Sequence, residues 1–505
     1  MLNASILTLI TFLPVLGAVI VTLLPKRGRI IPAFTLIFTL CIFLLTLHLP
    51  AHFNTAQHGF QFDCNIPWIT SPVIGYHVGV DGLSLWLVVL VGLLAPLGVL
   101  ISWRVIDHRQ REFYSLLLLQ QTAMYGIFVS LNLIFYYAFW ELSLVPITLL
   151  IGIFGLKNGR AAATKFFLYA FIPSALLLVA ILWLYAKTGT FDYVQLQQQM
   201  HALTTGTEAT GIWWASLAFL LAFAVKVPVF PVHAWLADGI SEAPTAIAMI
   251  LAGKLGLYSL LRFHVGLFPD QAARIAPLMV ALGVIGVLYG SLLALVQTDL
   301  RRLAAYATLA ALSFCVLGIY AFTATSMDGS VYQILSESVS AGAFFMLLGI
   351  LYERYGTNDM AQFGGVAKKM PGLATLFVIT TLSLIGLPIL NGFVGEFMIL
   401  SGSFQTHSRL AIAATLGVIL SAAYMLSMLQ RVFYGAPSNL IAATTQPDVN
   451  WRERAAVWPS VALMIVMGVA SVYWLRAIDS AVPGMAPPAA VAVHTTNYAR
   501  MTTTR

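Results

Sequence analysis

Apolar runs of about 20 residues recur along the sequence, from its first residues almost to its end. As an α-helix, a run of this length crosses the roughly 30 Å hydrocarbon core of a bilayer. Lipid offers no partners to backbone N–H and C=O groups, so a spanning chain must be helical or form a closed barrel. The runs therefore predict an all-α polytopic membrane protein with about fourteen transmembrane helices. The predicted spans lie near residues 2–24, 30–49, 79–103, 112–130, 132–155, 163–186, 212–235, 244–265, 274–297, 301–323, 330–352, 371–402, 408–434 and 456–478.

Composition supports this prediction and argues against several kinds of site. Of the 505 residues, 60% are hydrophobic and 9% are charged, whereas a typical soluble domain has about 25% charged residues. The isolated Cys41, Cys64 and Cys315 indicate neither a metal centre nor a disulfide. The sequence has no glycine-rich nucleotide loop, so we expect no cofactor or metal in this chain. The formal charge of +7 falls in short loops between apolar runs, which argues against nucleic acid as a partner.

The distribution of lysine and arginine predicts the topology. Of the 26 basic residues, 17 fall on one side of the predicted spans, 7 on the other, and Lys226 and Lys254 lie within spans. Since basic loops remain on the cytoplasmic side, this split places both termini outside. The long outer loop Pro50–His77 has no lysine or arginine, which agrees with this topology. We expect a multi-pass protein of a bacterial inner membrane with periplasmic termini.

Two apolar runs are interrupted at corresponding places. Pro228 follows Lys226 by two residues and must break the helix that carries the lysine. A second break, Leu384–Gly392, contains Pro388 and is followed by Glu396. Broken helices in two inverted units indicate a transport site near the membrane midplane. We therefore predict inverted five-helix repeats at residues 112–265 and 266–434, with an N-terminal three-helix segment at 1–111 and a C-terminal helix and tail at 435–505.

Four ionisable residues lie well inside predicted spans: Glu141, Lys226, Lys254 and Glu396. On insertion scales they cost on the order of 10–14 kcal/mol together, which favours a function. Glu141 could pair with Lys226, and the alternative is a static ion pair that only joins two helices. Lys254 is flanked by glycines, and a buried lysine can release and bind a proton.

Three further residues are possible relay groups with plausible structural alternatives. His233 follows Lys226 by seven residues, but a lone histidine is more often a satisfied helix-end residue. Lys165 begins its span at the inner end, where its ammonium can reach the interface. Glu337 lies among Ser336, Ser338 and Ser340, which could donate hydrogen bonds to it, and a wet vestibule would explain it without a relay role.

Several motifs resemble the antiporter-like subunits of proton-pumping NADH:quinone oxidoreductase, respiratory complex I. The segment 386–400, ending in Gly–Glu–Phe–Met–Ile–Leu, is similar to the M subunit in particular, because Glu396 stands where the L and N subunits carry lysine. The other motifs are Ala162–Phe167, Phe223–His233, Ser241–Thr245 and Gln297–Leu303.

The resemblance implies fourteen helices with two inverted five-helix repeats. It also implies a Glu141–Lys226 pair, a central Lys254 and a terminal Glu396 that relay protons. The chain would then be a translocase subunit without redox chemistry of its own. FMN, iron–sulfur clusters and quinone would belong to partner subunits, and L-type and N-type subunits and lipid would be its neighbours.

The sequence departs from the family pattern in its second half. Ala311 stands where the family usually has one histidine, and Glu337 where it has another. The family's Pro-Asp-Ala-His reads Ala237–Asp238–Gly239–Ile240. These differences predict a second half-channel that is either wired differently or less efficient.

Two other kinds of protein share the predicted fold. One is a subunit of a multi-chain cation/proton antiporter, and the other is the membrane arm of a hydrogenase complex. Glu396 and the match around it favour the redox complex. The identity of the co-purifying subunits would separate the three hypotheses.

Overall fold

A computed structural model gives the fold and describes residues 2–25, 28–206, 208–251 and 254–481. The side chains at 2–4, 201, 205 and 254 are outside that description. The first half of the chain contains helices α1 to α9 and two strands, β1 and β2. In chain order they are α1 (Leu2–Leu23), α2 (Ile30–Thr46), α3 (His48–His52), β1 (Gln61–Ile69), β2 (Ile74–Val80), α4 (Leu85–Ser102), α5 (Gln110–Val129), α6 (Leu133–Phe154), α7 (Gly159–Thr188), α8 (Tyr193–Thr205) and α9 (Ala209–Lys226).

The remainder contains helices α10 to α21, one π-helical turn and one 3-10 turn. In order these are α10 (Ala234–Glu242), α11 (Thr245–Leu251), α12 (Lys254–Ser259), the π turn Leu260–Val265, α13 (Pro269–Val296), α14 (Leu300–Tyr320), α15 (Ala324–Tyr355), the 3-10 turn Met360–Gln362, α16 (Val366–Lys369), α17 (Pro371–Leu384), α18 (Asn391–Phe433), α19 (Asn439–Ala443), α20 (Trp451–Val469) and α21 (Val472–Asp479).

The described residues contain 11 helical segments that are long and apolar enough to cross a membrane, or up to 12 if the bent pair α20 and α21 forms one span. The prediction of a polytopic helical membrane protein is therefore confirmed, while the count of fourteen stays a prediction. Two features account for part of the difference. Helix α5 occupies a predicted span but is less apolar, and the 43-residue α18 bends at His407, where two spans were predicted.

One hairpin departs from the all-helical prediction. Strands β1 and β2 pair in an antiparallel manner, with Cys64 opposite Val78 and Ile66 opposite Tyr76, and β2 extends three residues past the predicted outer loop Pro50–His77. The second strand is buried over most of its length, because it packs between the helical bundle and β1. Its end leads directly into α4, so the hairpin marks one face of the membrane domain.

Helix α15 is the most buried long helix among the described segments. Almost every residue of its apolar window is inside the protein, and it packs against α14, α17, α18 and α20. It begins with a capping box, in which the Thr323 hydroxyl accepts from the Ser326 N–H and the Ser326 hydroxyl is hydrogen-bonded to the Thr323 backbone. This central helix carries Glu337.

Candidate functional site

The first helix break forms where Pro228 predicts it. Helix α9 ends at Lys226, and α10 begins at Ala234. The Val225 carbonyl near the break accepts a hydrogen bond of 2.8 Å from the Trp235 indole nitrogen. A side chain thus replaces the backbone donor that a continuous helix would supply, as a break within a membrane requires.

Lys226 is buried at the end of α9 and is held by α6. Its Nζ donates to the Ser143 hydroxyl at 2.8 Å and approaches the Trp140 carbonyl at 3.5 Å. The same Nζ lies 3.8 Å from the centroid of the Trp140 indole, a cation–π distance. The ammonium therefore sits in a pocket made by one face of α6.

Glu141 belongs to the same helix but does not form a direct ion pair with Lys226. Its carboxylate accepts a hydrogen bond from Ser174 on α7, whereas Lys226 is held by Ser143 and Trp140. The two side chains are therefore not in direct contact, because each charge has a nearer polar partner, and their coupling stays a prediction.

Lys254 begins α12, and its side chain lies outside the described residues. Its helix nevertheless packs closely on the break. A Cβ added to Gly256 would lie 2.7 Å from the Val227 nitrogen and 3.0 Å from the Lys226 carbonyl carbon. Only glycine allows this approach, which brings the backbone of α12 against the end of α9.

Lys165 lies in an ion cluster at the predicted inner end of its helix. Its Nζ is 2.7 Å from Asp238 Oδ2, and Arg302 Nη2 is 3.2 Å from Asp238 Oδ1. The lysine and aspartate side chains are each about one-third exposed. Lys165 thus reaches a carboxylate at the aqueous boundary rather than the Lys226 pocket.

His233 precedes α10 and is separated from Lys226 by the break. Its ring stacks on Phe230 at 5.5 Å and meets Tyr289 of α13 at 5.1 Å. Its Nδ1 is buried and has no hydrogen-bond partner in the described part of the chain. The structure therefore places the histidine against aromatic rings and not on the lysine.

The second break places Glu396 beside a glycine. Helix α17 ends at Leu384, α18 begins at Asn391, and Gly386 between them has a φ of +71°. A Cβ added to Gly386 would lie 2.5 Å from Glu396 Oε2. The irregular segment thus curves over the carboxylate.

A cluster of buried polar side chains joins this break to α15. The Ser340 and Ser383 hydroxyls lie 2.7 Å apart, and the Asn391 side chain donates to the Ser336 carbonyl at 3.1 Å. These bonds fix the ends of α17 and α18 against the central helix, one turn from Glu337.

Glu337, Glu396 and Ala311 line one small cavity. Its volume is about 30 Å³, and one water needs at least about 10–15 Å³ on this measure. Tyr424 and Ser421 of α18 add hydroxyl groups to its wall. The methyl group of Ala311 therefore leaves water-sized space between two carboxylates.

The serines near Glu337 do not act together as its donors. Ser338 donates to the Ile334 carbonyl, Ser340 bonds with Ser383, and the buried Ser336 hydroxyl has no partner among the described residues. Helix geometry explains this, because a serine hydroxyl readily returns to the carbonyl four residues earlier.

Sequence reasoning missed a buried ion pair. Arg262 is one of the 7 basic residues that the topology prediction counts on the outer side, but its guanidinium is 2% exposed and contacts Asp81 just before α4. The signal was available, since Arg262 stands inside the apolar run Leu260–Val265 and Asp81 begins another.

The π turn that carries Arg262 also contains His264. The imidazole is buried, with Nε2 3.1 Å from the Ser216 hydroxyl and Nδ1 2.8 Å from the Tyr320 hydroxyl. The N–H of Gly266, just after this turn, donates to the carbonyl of Leu261 five residues earlier, which is the hydrogen-bond pattern of a π-helix. Such turns are often found at functional sites.

No group of three histidine, cysteine or acidic side chains is arranged to hold a metal ion within 2–25, 28–206, 208–251 and 254–481. The chemistry available at the two breaks is that of lysine, carboxylate and hydroxyl groups. Such groups can bind, hold and pass protons.

Comparison with known proteins identifies a family. Residues 130–421 match the model of the family described as NADH:quinone oxidoreductase/Mrp antiporter, TM. NADH-quinone oxidoreductase subunit M of Rhodobacter capsulatus is 38% identical over 486 residues, which cover 92% of this chain and 93% of that protein.

Two solved structures have a similar fold. A chain of respiratory complex I from Thermus thermophilus superposes with a TM-score of 0.84 at 31% identity, covering 94% of this chain and 98% of that chain. A chain of the Mrp complex from Dietzia sp. superposes at 0.83 with 20% identity, covering 97% and 99%. Given the family match and the 38% identity over most of its length, this chain belongs to the NADH:quinone oxidoreductase/Mrp antiporter transmembrane family.

Proposed function

We propose that this chain is the M-type antiporter-like subunit of an NADH:quinone oxidoreductase and moves protons through its membrane arm. The observation that carries the proposal is the buried Lys226, held by Ser143 and Trp140 at a broken helix. A charge in this position is expensive in a bilayer and is characteristic of an ion pathway. The subunit M relative at 38% identity supports assignment to a quinone-reducing complex.

The proposed relay has three stations. Glu141 and Lys226 form the first, coupled through space while each keeps its own hydroxyl partner. Lys254 is the second, and it passes the proton between the two halves. Glu396, beneath the second break, is the last.

The cavity between Glu337 and Glu396 serves as the link that a histidine provides in other members of the family. Ala311 provides space instead of an imidazole, and the cavity is large enough for water. Glu337 exchanges protons with that water and with Glu396. Lys165, which contacts Asp238, and His233 remain candidates for the inner entrance.

The remaining assignments follow from this function. The chain is a translocase subunit that does no redox chemistry, while FMN, iron–sulfur clusters and quinone belong to its partners. L-type and N-type subunits and lipid surround it in a bacterial inner membrane. Both termini lie on the periplasmic side, in accordance with the positive-inside rule.

A cation/proton antiporter without redox partners is the second candidate. The fold similarity to the Mrp complex supports it at the level of architecture alone, since the identity is 20%. Glu396 and the higher identity to subunit M favour the redox complex.

Affinity purification of the tagged chain from its native membrane separates the candidates. We expect subunits carrying flavin and iron–sulfur clusters, together with NADH-dependent quinone reduction. Recovery of only antiporter-like subunits, with no flavin, would contradict the proposal. As a check on the relay, a Lys254→Arg complex should assemble and reduce quinone but pump poorly, because arginine does not release its proton.

A further inference from the structure

A second cavity lies away from the proton-relay residues, at the end of α4 that is farther from the β1–β2 hairpin. Its walls come from three places in the chain: the beginning of α2, the end of α4 and the beginning of α20. Its volume is about 230 Å³, far more than the roughly 10–15 Å³ that one water needs on this measure. According to the predicted topology, this end of the domain lies on the inner, cytoplasmic side.

Within the described residues, three arginines and no carboxylate line this cavity. They are Arg29 just before α2, Arg104 just after α4 and Arg452 in the first turn of α20. Arg29 and Arg104 are exposed, and neither forms an ion pair or a hydrogen bond with another described residue. Asn450, the N-cap of α20, also lines the cavity, so the positive end of this helix faces the same space. Like charges around one space repel each other, and an anion between them removes that repulsion.

Arg452 is the buried member of the three. It is 6% exposed, and its guanidinium makes no hydrogen bond in the described part of the chain. Its one ion contact there is with Glu453 at 3.9 Å, and Arg354 already holds both oxygens of that carboxylate at 2.7 and 2.8 Å. Glu353 acts on Arg452 and Arg104 through its charge, but no direct ion pair joins it to either among the described residues. A buried charge without a hydrogen-bonded partner is costly, and the cavity is the side from which an anion can reach this guanidinium.

The lining of the cavity changes from charged to apolar with depth in the membrane. Leu36 follows Arg29 along α2, and Leu100 precedes Arg104 in α4. At 1.5 Å per residue, the two leucines lie about 10 Å and about 6 Å deeper than the arginines of their own segments. Trp451 lines the charged end and is 80% exposed, as is typical of tryptophan at the level of the lipid headgroups. A free phosphate would contact only the charged end, whereas a lipid would contact both ends.

We propose that this cavity binds the phosphate headgroup of an anionic phospholipid between Arg29, Arg104 and Arg452, with the acyl chains lying along Leu36 and Leu100. Basic pockets between transmembrane helices on the cytoplasmic side are suited to such headgroups. The bound lipid connects α2, α4 and α20, which are distant in sequence. The site does not depend on the proposed proton relay, since none of the relay residues lines it.

Photo-labelling of the purified complex in lipid nanodiscs tests the site. The probe is a phosphatidylglycerol that carries a diazirine in its acyl chain close to the glycerol, and the labelled peptides are located by mass spectrometry. We expect labels near Leu36 and Leu100. Arg29→Gln and Arg104→Gln should each raise the mole fraction of probe needed for half-maximal labelling about fivefold, as expected for the loss of one basic residue near an anionic headgroup. Arg452→Gln should raise it at least as much.

Arg454→Gln is the matched control, because Arg454 is exposed in the same helical turn and does not line the cavity; its labelling should equal that of the wild type. Unchanged labelling in the three lining variants would overturn the proposal, and so would equal labelling by a phosphatidylcholine probe of the same design. Displacement of the probe by inorganic phosphate, but not by chloride at the same ionic strength, would assign the site to free phosphate. Absence of labels near Leu36 and Leu100 in the complete complex would mean that another subunit covers the cavity. If Arg452→Gln fails to assemble, the two exposed arginines still decide.

Discussion

Replacing Gly386 by alanine isolates the contribution of the second break to the position of Glu396. Gly386 has a φ of +71°, a conformation that costs an L-residue with a Cβ about 1–2 kcal/mol. The new Cβ would also lie 2.5 Å from Glu396 Oε2, roughly 1 Å inside the contact distance of about 3.5 Å. The carboxylate must therefore move, and a proton-transfer distance changes with it.

A matched control separates backbone strain from displacement of the carboxylate. Gly189 ends α7 with a φ of +73°, and an added Cβ there would meet nothing within 4 Å. Gly189→Ala and Gly386→Ala should therefore each lose about 1–2 kcal/mol of local stability. Only Gly386→Ala should reduce the protons pumped per quinone reduced, measured in inverted membrane vesicles. Equal pumping by the two variants would refute the idea that this glycine positions Glu396.

Three more predictions concern other residues. Arg262→Met should destabilise the subunit by about 3–5 kcal/mol, because it leaves the buried Asp81 carboxylate without its partner. Adding Asp81→Leu should restore the stability, as measured by thermal unfolding of the complex, and no restored stability would mean that the pair is unimportant. Burial opposes a positive charge on His77, but the hydrogen bonds and negative charges of Asp192 and Asp63 outweigh it and raise the pKa of His77 above 6.5. Hydrogen exchange should therefore show that the hairpin is stabilised below pH 6.5 and opens more readily as the pH rises through the raised pKa. Exchange of the hairpin that does not depend on pH would contradict this. Glu337→Gln should slow pumping and Glu337→His should preserve it, whereas equal pumping in both and in Glu337→Ala would leave water as the sole carrier.

The backbone breaks could be predicted because proline acts locally. Pro228 lacks a donor wherever the rest of the chain lies, so the end of α9 at Lys226 follows from the sequence. The membrane class follows in the same way from runs of apolar residues. The β1–β2 hairpin was not predicted, since β1 is exposed or half-buried along its whole length and no apolar run marks it.

The contacts of the charged groups could not be predicted, because they depend on which helix faces which. Glu141 and Lys226 were expected to pair, yet Ser174 and Ser143 are the nearer partners. Arg262 illustrates the same limit, since counting it as an outer charge ignored Asp81, 181 positions away in the sequence. Long-range contacts of this kind are set by the packing of the whole bundle.

The central claim is that Lys226 carries protons, and it is tested most directly by replacing Lys226 alone. The measurement is the number of protons moved per NADH oxidised in vesicles containing an assembled Lys226→Ala complex. Lys187→Ala serves as the control, because Lys187 is a partly exposed lysine paired with Glu208 at the end of α7. The account predicts a clear loss of pumping in Lys226→Ala and normal pumping in Lys187→Ala. An assembled Lys226→Ala complex that pumps as well as the control would contradict it.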